Sequence, residues 1–511
     1  MPAPNPVALL ERATSTPNDL ALDDGVRTRT WAELVERSGR LARVLRDDLG
    51  LAPGDHVASV LDNRVEWFEL ALATLLGGVW LVPVNTHLQA DEVAYVLADS
   101  GARLVFTDAA HRASIDAAAA GVPVIEVGDE LDAHIDAVAP GPLDLDAPAG
   151  GRMHYTSGTT GRPKGVKRAL PPTAGEYLAL LGHLGRGVGL DGSGPHLLTG
   201  PHYHAAVGGY ALFDLVNGAP VVMMQRFDAE ATLQLIARHR IAHTHVVPTM
   251  MVRLLRLPAD VRAAADTSSL THVLHGAAPI AQSTKQAMID WWGPVLTEYW
   301  GTSEAGTFTL ISSQEWLAHP GSVGRPLPGV EIVVVDEHGK PLGVDEVGTL
   351  YCRMGDAPRP FRYHNDEAKT DAAYLEPGLF TMGDMGRVDA DGYVYLVDRA
   401  TNMIISGGVN IYPAEVEAAL LGHPAVADVA VFGVPDEEWG EQVKAAVELT
   451  DGHAPSPALA DELIAFARSK LAHYKAPKSV DFVDALPRLP SGKLRVHELK
   501  DRYWAGRDRR I

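Results

Sequence analysis

The sequence predicts an α/β protein with a large N-terminal domain of layered α/β subdomains plus a small β subdomain, followed by a small mobile α+β C-terminal domain. Strand-like and helix-like segments alternate through most of the chain, which is typical of layered α/β architecture. The pattern changes after about residue 320 and again after Arg399. The 511 residues are also too many for one hydrophobic core.

The first part of the chain alternates predicted helices with predicted buried strands. The stretch "TWAELVERSGRLARVL" places Trp31, Leu34 and Leu41 on one helical face. Thr30 and Glu33 have the spacing of a capping box at its start. "HVASVLD", "ARLVFTD" and "VPVIEV" predict strands, and "WFELALATLLGGVW" predicts an apolar helix. This alternation supports the layered domain.

The later segments predict the two smaller units. "VEIVVVDEHGKPL" and the hairpin "GRVDADGYVYLVDR", with its Asp-Ala-Asp-Gly turn, indicate a mostly antiparallel subdomain. Beyond Arg399, "YPAEVEAALLGHP" predicts a helix with Pro413 at its first position. A strand, "VADVAVFGVPD", and an amphipathic helix, "ADELIAFARSKL", follow. We therefore predict a large domain at 1–399 and a small one at 400–511.

Composition excludes several classes of function. The net charge of −21 argues against nucleic acid or an anionic membrane as partner. A single cysteine, Cys352, excludes an intramolecular disulfide and fits a cytoplasmic location. No window approaches the roughly 20 apolar residues of a membrane span. The N-terminal segment lacks the apolar core of a signal peptide, and the C-terminal segment "GRDRRI" matches no lipidation or peroxisomal signal.

The stretch "YTSGTTGRPKGV", Tyr155–Val166, has the composition of a phosphate-binding loop. Glycines let backbone N–H groups approach an anion, and Lys164 adds a compact positive charge. Pro163 and the Lys–Gly order argue against a Walker loop, and a polar surface loop is the alternative. The residues that would contact phosphate are Thr156, Ser157, Gly158, Thr159, Thr160 and Lys164.

Two further segments could hold a flat ring and a metal. In "HGAAPI", the small residues Gly276, Ala277 and Ala278 would let a ring approach the backbone. In "EYWGTSEAG", Trp300 offers a stacking face, and Glu304 lies beside hydroxyl-bearing residues in the hard-oxygen environment that magnesium prefers. An ordinary strand and turn with a surface glutamate is the alternative.

Three more segments carry candidate residues. Asp384 and Arg399 begin and end the hairpin "GDMGRVDADGYVYLVDR" and could bind ribose hydroxyls, although a solvated hairpin rim is the alternative. Gly407 and Gly408 precede a predicted helix. Lys493, in "LPRLPSGKLRV", could reach into a cleft, although such a lysine is usually a surface charge.

These segments, in this order and spacing, resemble the adenylate-forming enzymes, which include acyl-CoA synthetases, aryl-CoA ligases, peptide-synthetase adenylation domains and beetle luciferases. The resemblance spans nearly the whole chain, and "GSVGRPLPG", "NMIISGGVNIYP" and "PSGK" are similar to bacterial acyl-CoA synthetases. It implies a two-step reaction. A carboxylate attacks the α-phosphate of Mg·ATP to give acyl-AMP and pyrophosphate, and the thiol of coenzyme A then displaces AMP.

The resemblance also implies a role for each matching residue. Thr156–Thr160 and Lys164 would hold the β- and γ-phosphates, and Gly276, Ala277, Ala278 and Trp300 the adenine. Thr302 would contact the α-phosphate, Glu304 would bind Mg²⁺, and Asp384 and Arg399 would hold the ribose. Lys493 would stabilise the adenylation transition state, and Gly407 and Gly408 would border the pantetheine tunnel. The small domain would rotate between the two steps.

Two positions depart from the family pattern, and the sequence indicates less about the pocket for the acyl group. Ser303 replaces the usual threonine before the metal-binding glutamate but keeps its hydroxyl. "RATN" replaces a charged hinge and puts Thr401 there. His204, in "GPHYHAAVGGY", is the candidate residue near the substrate carboxylate, and Gly208 and Gly209 could leave room for a bulky acyl group.

The sequence leaves three functions open. An acyl-CoA synthetase acting on a fatty, aromatic or polycyclic acid is favoured. An acyl-AMP ligase loading a carrier-protein thiol is the second option, and a non-catalytic nucleotide-binding homologue is the third. Retention of Glu304 and Lys493 argues against the third, because binding alone would not require both. The expected small molecules are a carboxylic acid, ATP, Mg²⁺ and CoA, and a homodimer is an open option.

Overall fold

The structure of the chain, a computed structural model, describes residues 7–156, 163–399, 402–406, 409–436, 439–488 and 494–504. At Arg399, Ile405 and Asn410 it describes the backbone alone.

The described helices and strands follow one another along the whole chain. The helices are α1 Ala8–Ser15, α2 Trp31–Arg43, α3 Val65–Leu76, α4 Ala90–Ser100, α5 Arg112–Ala118, α6 Asp129–Ala137, α7 Ala174–Gly187, α8 Ala205–Val216, α9 Ala229–His239, α10 Pro248–Leu255, α11 Ala259–Ala264, α12 Gln282–Trp292, α13 Ser313–Ala318, α14 Glu367–Ala372, α15 Pro413–Leu420, α16 Pro457–Lys470 and α17 Val496–Trp504. The strands are β1 Leu20–Asp23, β2 Thr28–Thr30, β3 His56–Val60, β4 Trp80–Pro83, β5 Ala102–Thr107, β6 Val124–Glu126, β7 His154–Thr156, β8 Lys164–Arg168, β9 His196–Leu198, β10 Val221–Met223, β11 His243–Val246, β12 His272–His275, β13 Leu296–Thr302, β14 Gly306–Ser312, β15 Arg325–Pro326, β16 Val330–Val335, β17 Gly348–Met354, β18 Phe361–Tyr363, β19 Tyr374–Glu376, β20 Leu379–Phe380, β21 Asp384–Val388, β22 Val394–Arg399, β23 Ile404–Ser406, β24 Val409–Ile411, β25 Val426–Asp436, β26 Gly440–Leu449 and β27 Ser479–Val483.

Within the described residues, the strands form five sheets. The large sheet has the order β15-β14-β13-β12-β11-β9-β10-β1-β2 and is parallel from β13 to β1. The second sheet, β4-β3-β5-β6, is parallel throughout. The antiparallel sheet contains β16, β17 and β19–β22, and the hairpin sheet has the order β18-β8-β7. The C-terminal sheet has the order β24-β23-β26-β25, with β27 beside β26. The α/β class with a large N-terminal and a smaller C-terminal domain is confirmed.

Local sequence signals explain the elements that the sequence predicts. Thr30 and Glu33 form a complete capping box at the start of α2. The apolar run of α3 is buried along its whole length, as a helix between two packed layers must be. Asp389 accepts backbone N–H bonds from Asp391 and Tyr393 and so closes the predicted β21–β22 hairpin.

The C-terminal part of the chain has its own hydrophobic packing. Two clusters of buried apolar residues, one from Ile404 to Ala476 and one from Ala430 to Leu499, draw on this part of the chain alone. Pro413 begins α15, as predicted. The predicted boundary at 399/400 precedes both clusters and stays a prediction. No helix among the described residues is long and apolar enough to cross a membrane.

A buried carboxylate ties α8 to the large sheet. Asp214 accepts hydrogen bonds from Nδ1 of His196 and Nδ1 of His243, at 3.0 and 2.8 Å, and from the Gly192 N–H. His196 and His243 are paired residues of β9 and β11. Burial favours the neutral carboxyl, but the two histidines outweigh it and lower the pKa of Asp214 to about 2. His243 therefore has a structural role, as a residue of β11 bonded to Asp214.

We expect Asp214→Asn to lower the free energy of unfolding by about 1–3 kcal/mol, because the amide leaves a buried donor unpaired. The native pKa lies below the usual unfolded value, so the carboxylate stabilises the fold above about pH 4 and loses that effect as the pH falls toward 2. Urea unfolding at several pH values should show the difference from wild type narrowing below pH 4. Asp260→Asn, at an exposed position of α11, is the matched control. Equal stability of Asp214→Asn and wild type at pH 7 would contradict the role of Asp214.

Candidate active site

A cleft of about 4300 Å³ follows the carboxyl ends of the large sheet's parallel strands, where open α/β sheets bind ligands. It also borders residues of the C-terminal sheet. Among the sequence-predicted site residues, those that line it are Thr156, His204, Ala277, Ala278, Trp300, Thr302, Glu304 and Asp384. The structure thus brings together residues that are up to 228 positions apart, from Thr156 to Asp384.

Other predicted residues lie elsewhere or cannot be placed. Lys164 and Gly276 are described but do not line the cleft, and Arg399 is described by its backbone, which pairs with Asp384. The residues that lie outside the described part of the chain are Ser157, Gly158, Thr159, Thr160, Thr401, Gly407, Gly408 and Lys493. Their roles stay predictions.

The phosphate-loop segment is carried by a β-hairpin. Thr156 ends β7 and pairs with Lys164, the first residue of β8. The Lys164 Nζ lies 3.5 Å from an Asp366 carboxylate oxygen, so its charge is partly neutralised at the hairpin edge. The Tyr95 hydroxyl donates to the Pro163 carbonyl and fixes the entry to β8. The described residues on either side of the loop, Thr156 and Pro163, both line the cleft.

The predicted adenine contacts Gly276 and Ala277 lie where the backbone packs closely against Tyr299 and is locally strained. A Cβ atom at Gly276 would lie 2.6 Å from the Tyr299 carbonyl oxygen, so glycine is required there for packing. The next residue, Ala277, has φ of 65°, in the left-handed region that alanine rarely adopts. Strain of this kind clusters at ligand sites, and Ala277 is exposed in the cleft.

Trp300 and Asp384 are joined by a direct hydrogen bond. The Trp300 indole N–H donates to Asp384 Oδ2 at 2.9 Å, and both side chains are buried. The Trp300 ring also packs edge-on against Phe308 at 4.9 Å. The bond fixes both side chains at one end of the cleft, where an adenine and a ribose would lie. Stacking by Trp300 and ribose binding by Asp384 stay predictions.

The Thr302–Glu304 turn holds the candidate metal ligand. Thr302 Oγ1 accepts from the Ala305 N–H at 3.2 Å, and Glu304 Oε1 accepts from the Tyr363 hydroxyl at 3.3 Å. No arginine or lysine among the described residues forms an ion pair with the Glu304 carboxylate, which keeps its negative charge available. One carboxylate completed by phosphate oxygens and water is the usual magnesium environment in nucleotide sites, so this donor set fits Mg²⁺.

Arg168, at the end of β8, donates hydrogen bonds to the backbone carbonyls of this turn. Its Nη2 lies 2.8 Å from the Ser303 carbonyl oxygen and 3.5 Å from that of Thr302, and its Nε donates to the Glu304 carbonyl at 3.1 Å. Burial lowers the pKa of Arg168, and the Glu304 carboxylate opposes that shift. A planar guanidinium suits several carbonyls at once better than an ammonium does. Arg168 therefore fixes the backbone on which Glu304 is mounted.

His204 precedes α8 and lines the cleft. Its Nε2 is buried and has no hydrogen-bond partner among the described residues. Burial lowers the pKa of His204 to about 4, so its imidazole is neutral near pH 7. A neutral imidazole with an unpaired nitrogen can bond a carboxylate or its ester, which supports the predicted role. His202, by contrast, is stacked on Trp67 in the core.

The two adjacent glycines of α8 have different functions. A Cβ atom at Gly208 would lie 2.1 Å from the His202 carbonyl oxygen, so Gly208 permits close packing and gives no room to an acyl group. A Cβ atom at Gly209 would meet nothing within 4 Å, and Gly209 lines the cleft. The expected space is therefore present at Gly209 alone. The Gly208 half of that expectation is wrong, because the loop before α8 crosses directly over that residue.

Sequence reasoning missed Arg152, Arg168 and Tyr177, which also line the cleft. Arg152 and Arg168 lie just outside the two ends of "YTSGTTGRPKGV". Alternation along the hairpin strands, which puts every second residue on one face, was the signal that could have indicated them.

Comparisons with known proteins agree with this geometry. The family profile described as AMP-binding enzyme matches residues 9–356, and the profile described as AMP-binding enzyme C-terminal domain matches residues 415–493. The chain is 36% identical over 496 residues to the feruloyl-CoA synthase of Amycolatopsis sp, covering 97% of this chain and 98% of that protein. It is 33% identical over 500 residues to the 2-succinylbenzoate–CoA ligase of Geobacillus kaustophilus, covering 96% of each.

A solved structure shares the fold. The o-succinylbenzoate CoA synthetase of Bacillus subtilis, in complex with its acyl-adenylate intermediate, superposes with a TM-score of 0.81 at 30% identity and covers 99% of both chains. Fold and cleft thus define an adenylate-forming enzyme architecture with a large and a small domain. The chain belongs to the AMP-binding enzyme family.

We expect Arg168→Met to lower kcat/KM for ATP by about tenfold to a hundredfold, the usual cost of losing a residue that orients a metal ligand. Acid-dependent exchange between pyrophosphate and ATP, measured across Mg²⁺ concentrations, should show a higher Mg²⁺ requirement. Lys167→Met is the matched control, because Lys167 is the adjacent cation of β8 and points to the opposite face. Equal Mg²⁺ requirements in both variants would contradict the positioning role.

Proposed function

We propose that the chain is an AMP-forming acid–CoA ligase that acts on a fatty, aromatic or polycyclic carboxylic acid. The cleft supports this proposal, because Ala277, Ala278, the Thr302–Glu304 turn and His204 all line it. The curated relatives are acyl- and aryl-CoA ligases, which supports the class. We further propose a cytoplasmic location, for which the single cysteine is the support. A homodimer stays a prediction.

The proposed first step joins the acid to AMP. The substrate carboxylate attacks the α-phosphorus, the bond to the β-phosphate oxygen breaks, and pyrophosphate leaves. Mg²⁺ bound at Glu304 would neutralise phosphate charge. Thr302 would hold the α-phosphate and Lys493 would stabilise the charge that develops on it, so catalysis is mainly positioning and electrostatics.

The proposed second step exchanges AMP for a thiol. The CoA sulfur attacks the acyl carbon, and AMP leaves with the former carboxylate oxygen. Ser406 and Val409, which flank the glycine pair Gly407–Gly408, belong to the paired strands β23 and β24 of the C-terminal sheet. This position supports a glycine-lined pantetheine path supplied by the small domain.

Transfer to a carrier-protein thiol is the second candidate function. One similar protein is a fatty acid–acyl-carrier-protein ligase of Streptomyces coeruleorubidus, 34% identical over 500 residues. A panel of fatty, aromatic and polycyclic acids, assayed for AMP release with CoA or with a pantetheinylated carrier protein, separates the two. We expect AMP release that depends on both acid and CoA. Release with the carrier protein alone would favour the second function, and no release with any acid would reject both.

Separation of the two steps tests the role of Lys493. We expect Lys493→Ala to slow acyl-AMP formation by about a hundredfold or more, because it removes a charge aimed at the transition state. The same variant should still convert preformed acyl-AMP and CoA into acyl-CoA, since that step does not use this lysine. Loss of both half-reactions to the same extent, with an unchanged melting temperature, would contradict the assignment.

Glycine replacements test where the acyl group lies. Gly209→Leu should lower kcat/KM for bulky acids relative to acetate by about tenfold, because the leucine side chain would fill open space in the cleft. Gly208→Ala should instead lower the melting temperature, since its methyl group meets backbone at 2.1 Å. If Gly209→Leu left the preference for acid size unchanged, Gly209 would not line the space that binds the acyl group.

A further inference from the structure

Two arginines lie close to the β7–β8 hairpin and line the cleft. Arg152 lies two residues before β7 and forms an isolated bridge with Leu81, whereas Arg168 ends β8. The charge of Arg152 is one of the causes that lower the pKa of Arg168, after burial. The two guanidinium groups are therefore near enough to repel each other.

The two arginines differ in what they bind. Arg168 is engaged with backbone carbonyls of the Thr302–Glu304 turn. The Arg152 Nη1 is buried and has no hydrogen-bond partner among the described residues. Burial lowers the pKa of Arg152, and the Tyr177 hydroxyl is the one polar group that counteracts this shift. In the part of the chain that the structure describes, no carboxylate lies within ion-pair distance of Arg152.

The surrounding titratable groups do not supply the missing negative charge. Burial, followed by the charges of Arg152 and Arg168, lowers the pKa of His154 to about 3, so His154 is neutral near pH 7. Burial, followed by the charge of His87, lowers the pKa of His204 to about 4, so His204 is also neutral near pH 7. Apolar residues that line the same cleft could hold a carbon skeleton, among them Leu170, Leu184, Val207, Phe213 and Met250. Among the described residues, Arg152 is thus a cleft-lining cation without an ion-pair partner.

A buried unpaired charge is expensive, and proteins retain such arrangements mainly at functional sites. An anionic group of a ligand would offset the cost, because a guanidinium binds a carboxylate through two parallel hydrogen bonds. The carboxylate that reacts is expected near His204 and the Thr302–Glu304 turn, and Arg152 lines the same cleft. A second carboxylate on the same acid would reach Arg152.

We propose that the preferred substrate is a dicarboxylic acid, with one carboxylate activated at the Thr302–Glu304 turn and the other bound by Arg152 beside Tyr177. This inference rests on the proposed ligase function. Tyr177 lies on α7 and lines the same cleft, so its hydroxyl can orient the guanidinium or bond the distal carboxylate. Arg152 then determines specificity and takes no part in the bond changes.

The wild-type enzyme gives the first test. Pairs of acids with equal carbon count, one monocarboxylic and one α,ω-dicarboxylic, are compared by acid-dependent exchange of pyrophosphate into ATP. We expect the dicarboxylic member of at least one pair to have the higher kcat/KM. If every monocarboxylic member is the better substrate, the inference is wrong while the ligase function stands. If no acid of either kind supports exchange, the ligase function itself fails.

A variant gives the second test. Arg152→Gln should lower the ratio of kcat/KM for the dicarboxylic over the monocarboxylic acid by about tenfold to a hundredfold, mainly through KM. Arg152→Lys should restore part of that ratio, because it keeps the charge. Arg362→Gln, an exposed cation on β18 outside the cleft, is the matched control and should leave the ratio unchanged. An equal loss for both acids in Arg152→Gln would mean that Arg152 binds the reacting carboxylate, which overturns the proposal.

Discussion

The bonds from the Arg168 guanidinium to the Ser303 and Glu304 carbonyls are the constraint on which the cleft depends. They join the hairpin sheet, whose Thr156 lines the cleft, to the large sheet, whose β13–β14 turn carries the candidate metal ligand. The end of β8 and the Thr302–Glu304 turn are thereby held at a fixed separation. Preorganisation of this kind is where enzymes gain most of their electrostatic stabilisation of a transition state.

Charge in the cleft follows from the same hairpin. Arg152, His154 and Arg168 line the cleft, whereas Lys167 does not. Burial lowers the pKa of His154 to about 3, so the positive charges at this place are those of the two guanidinium groups. They lie in a protein with a net charge of −21. Net charge gives information on solubility, whereas the charge inside the cleft depends on which side chains line it.

Sequence reasoning went furthest where short segments carry their own chemistry. The hairpin at Asp384–Arg399 and the capping box at Thr30 are local patterns. Arg168 was missed because its partners are backbone carbonyls more than 130 residues away, and carbonyls leave no mark in a sequence. The sequence does not distinguish Gly208 from Gly209, because the loop that packs against Gly208 is positioned by tertiary contacts.

The proposed chemistry has one atom-level signature, which is the path of a carboxylate oxygen. The measurement is the turnover of an acid labelled with ¹⁸O in its carboxylate, with ATP, Mg²⁺ and CoA, followed by mass spectrometry of the nucleotide product. Attack of the carboxylate on the α-phosphorus predicts one ¹⁸O atom in the phosphate of AMP and none in pyrophosphate. Label in inorganic phosphate together with ADP, or unlabelled AMP, would contradict activation through an acyl-adenylate.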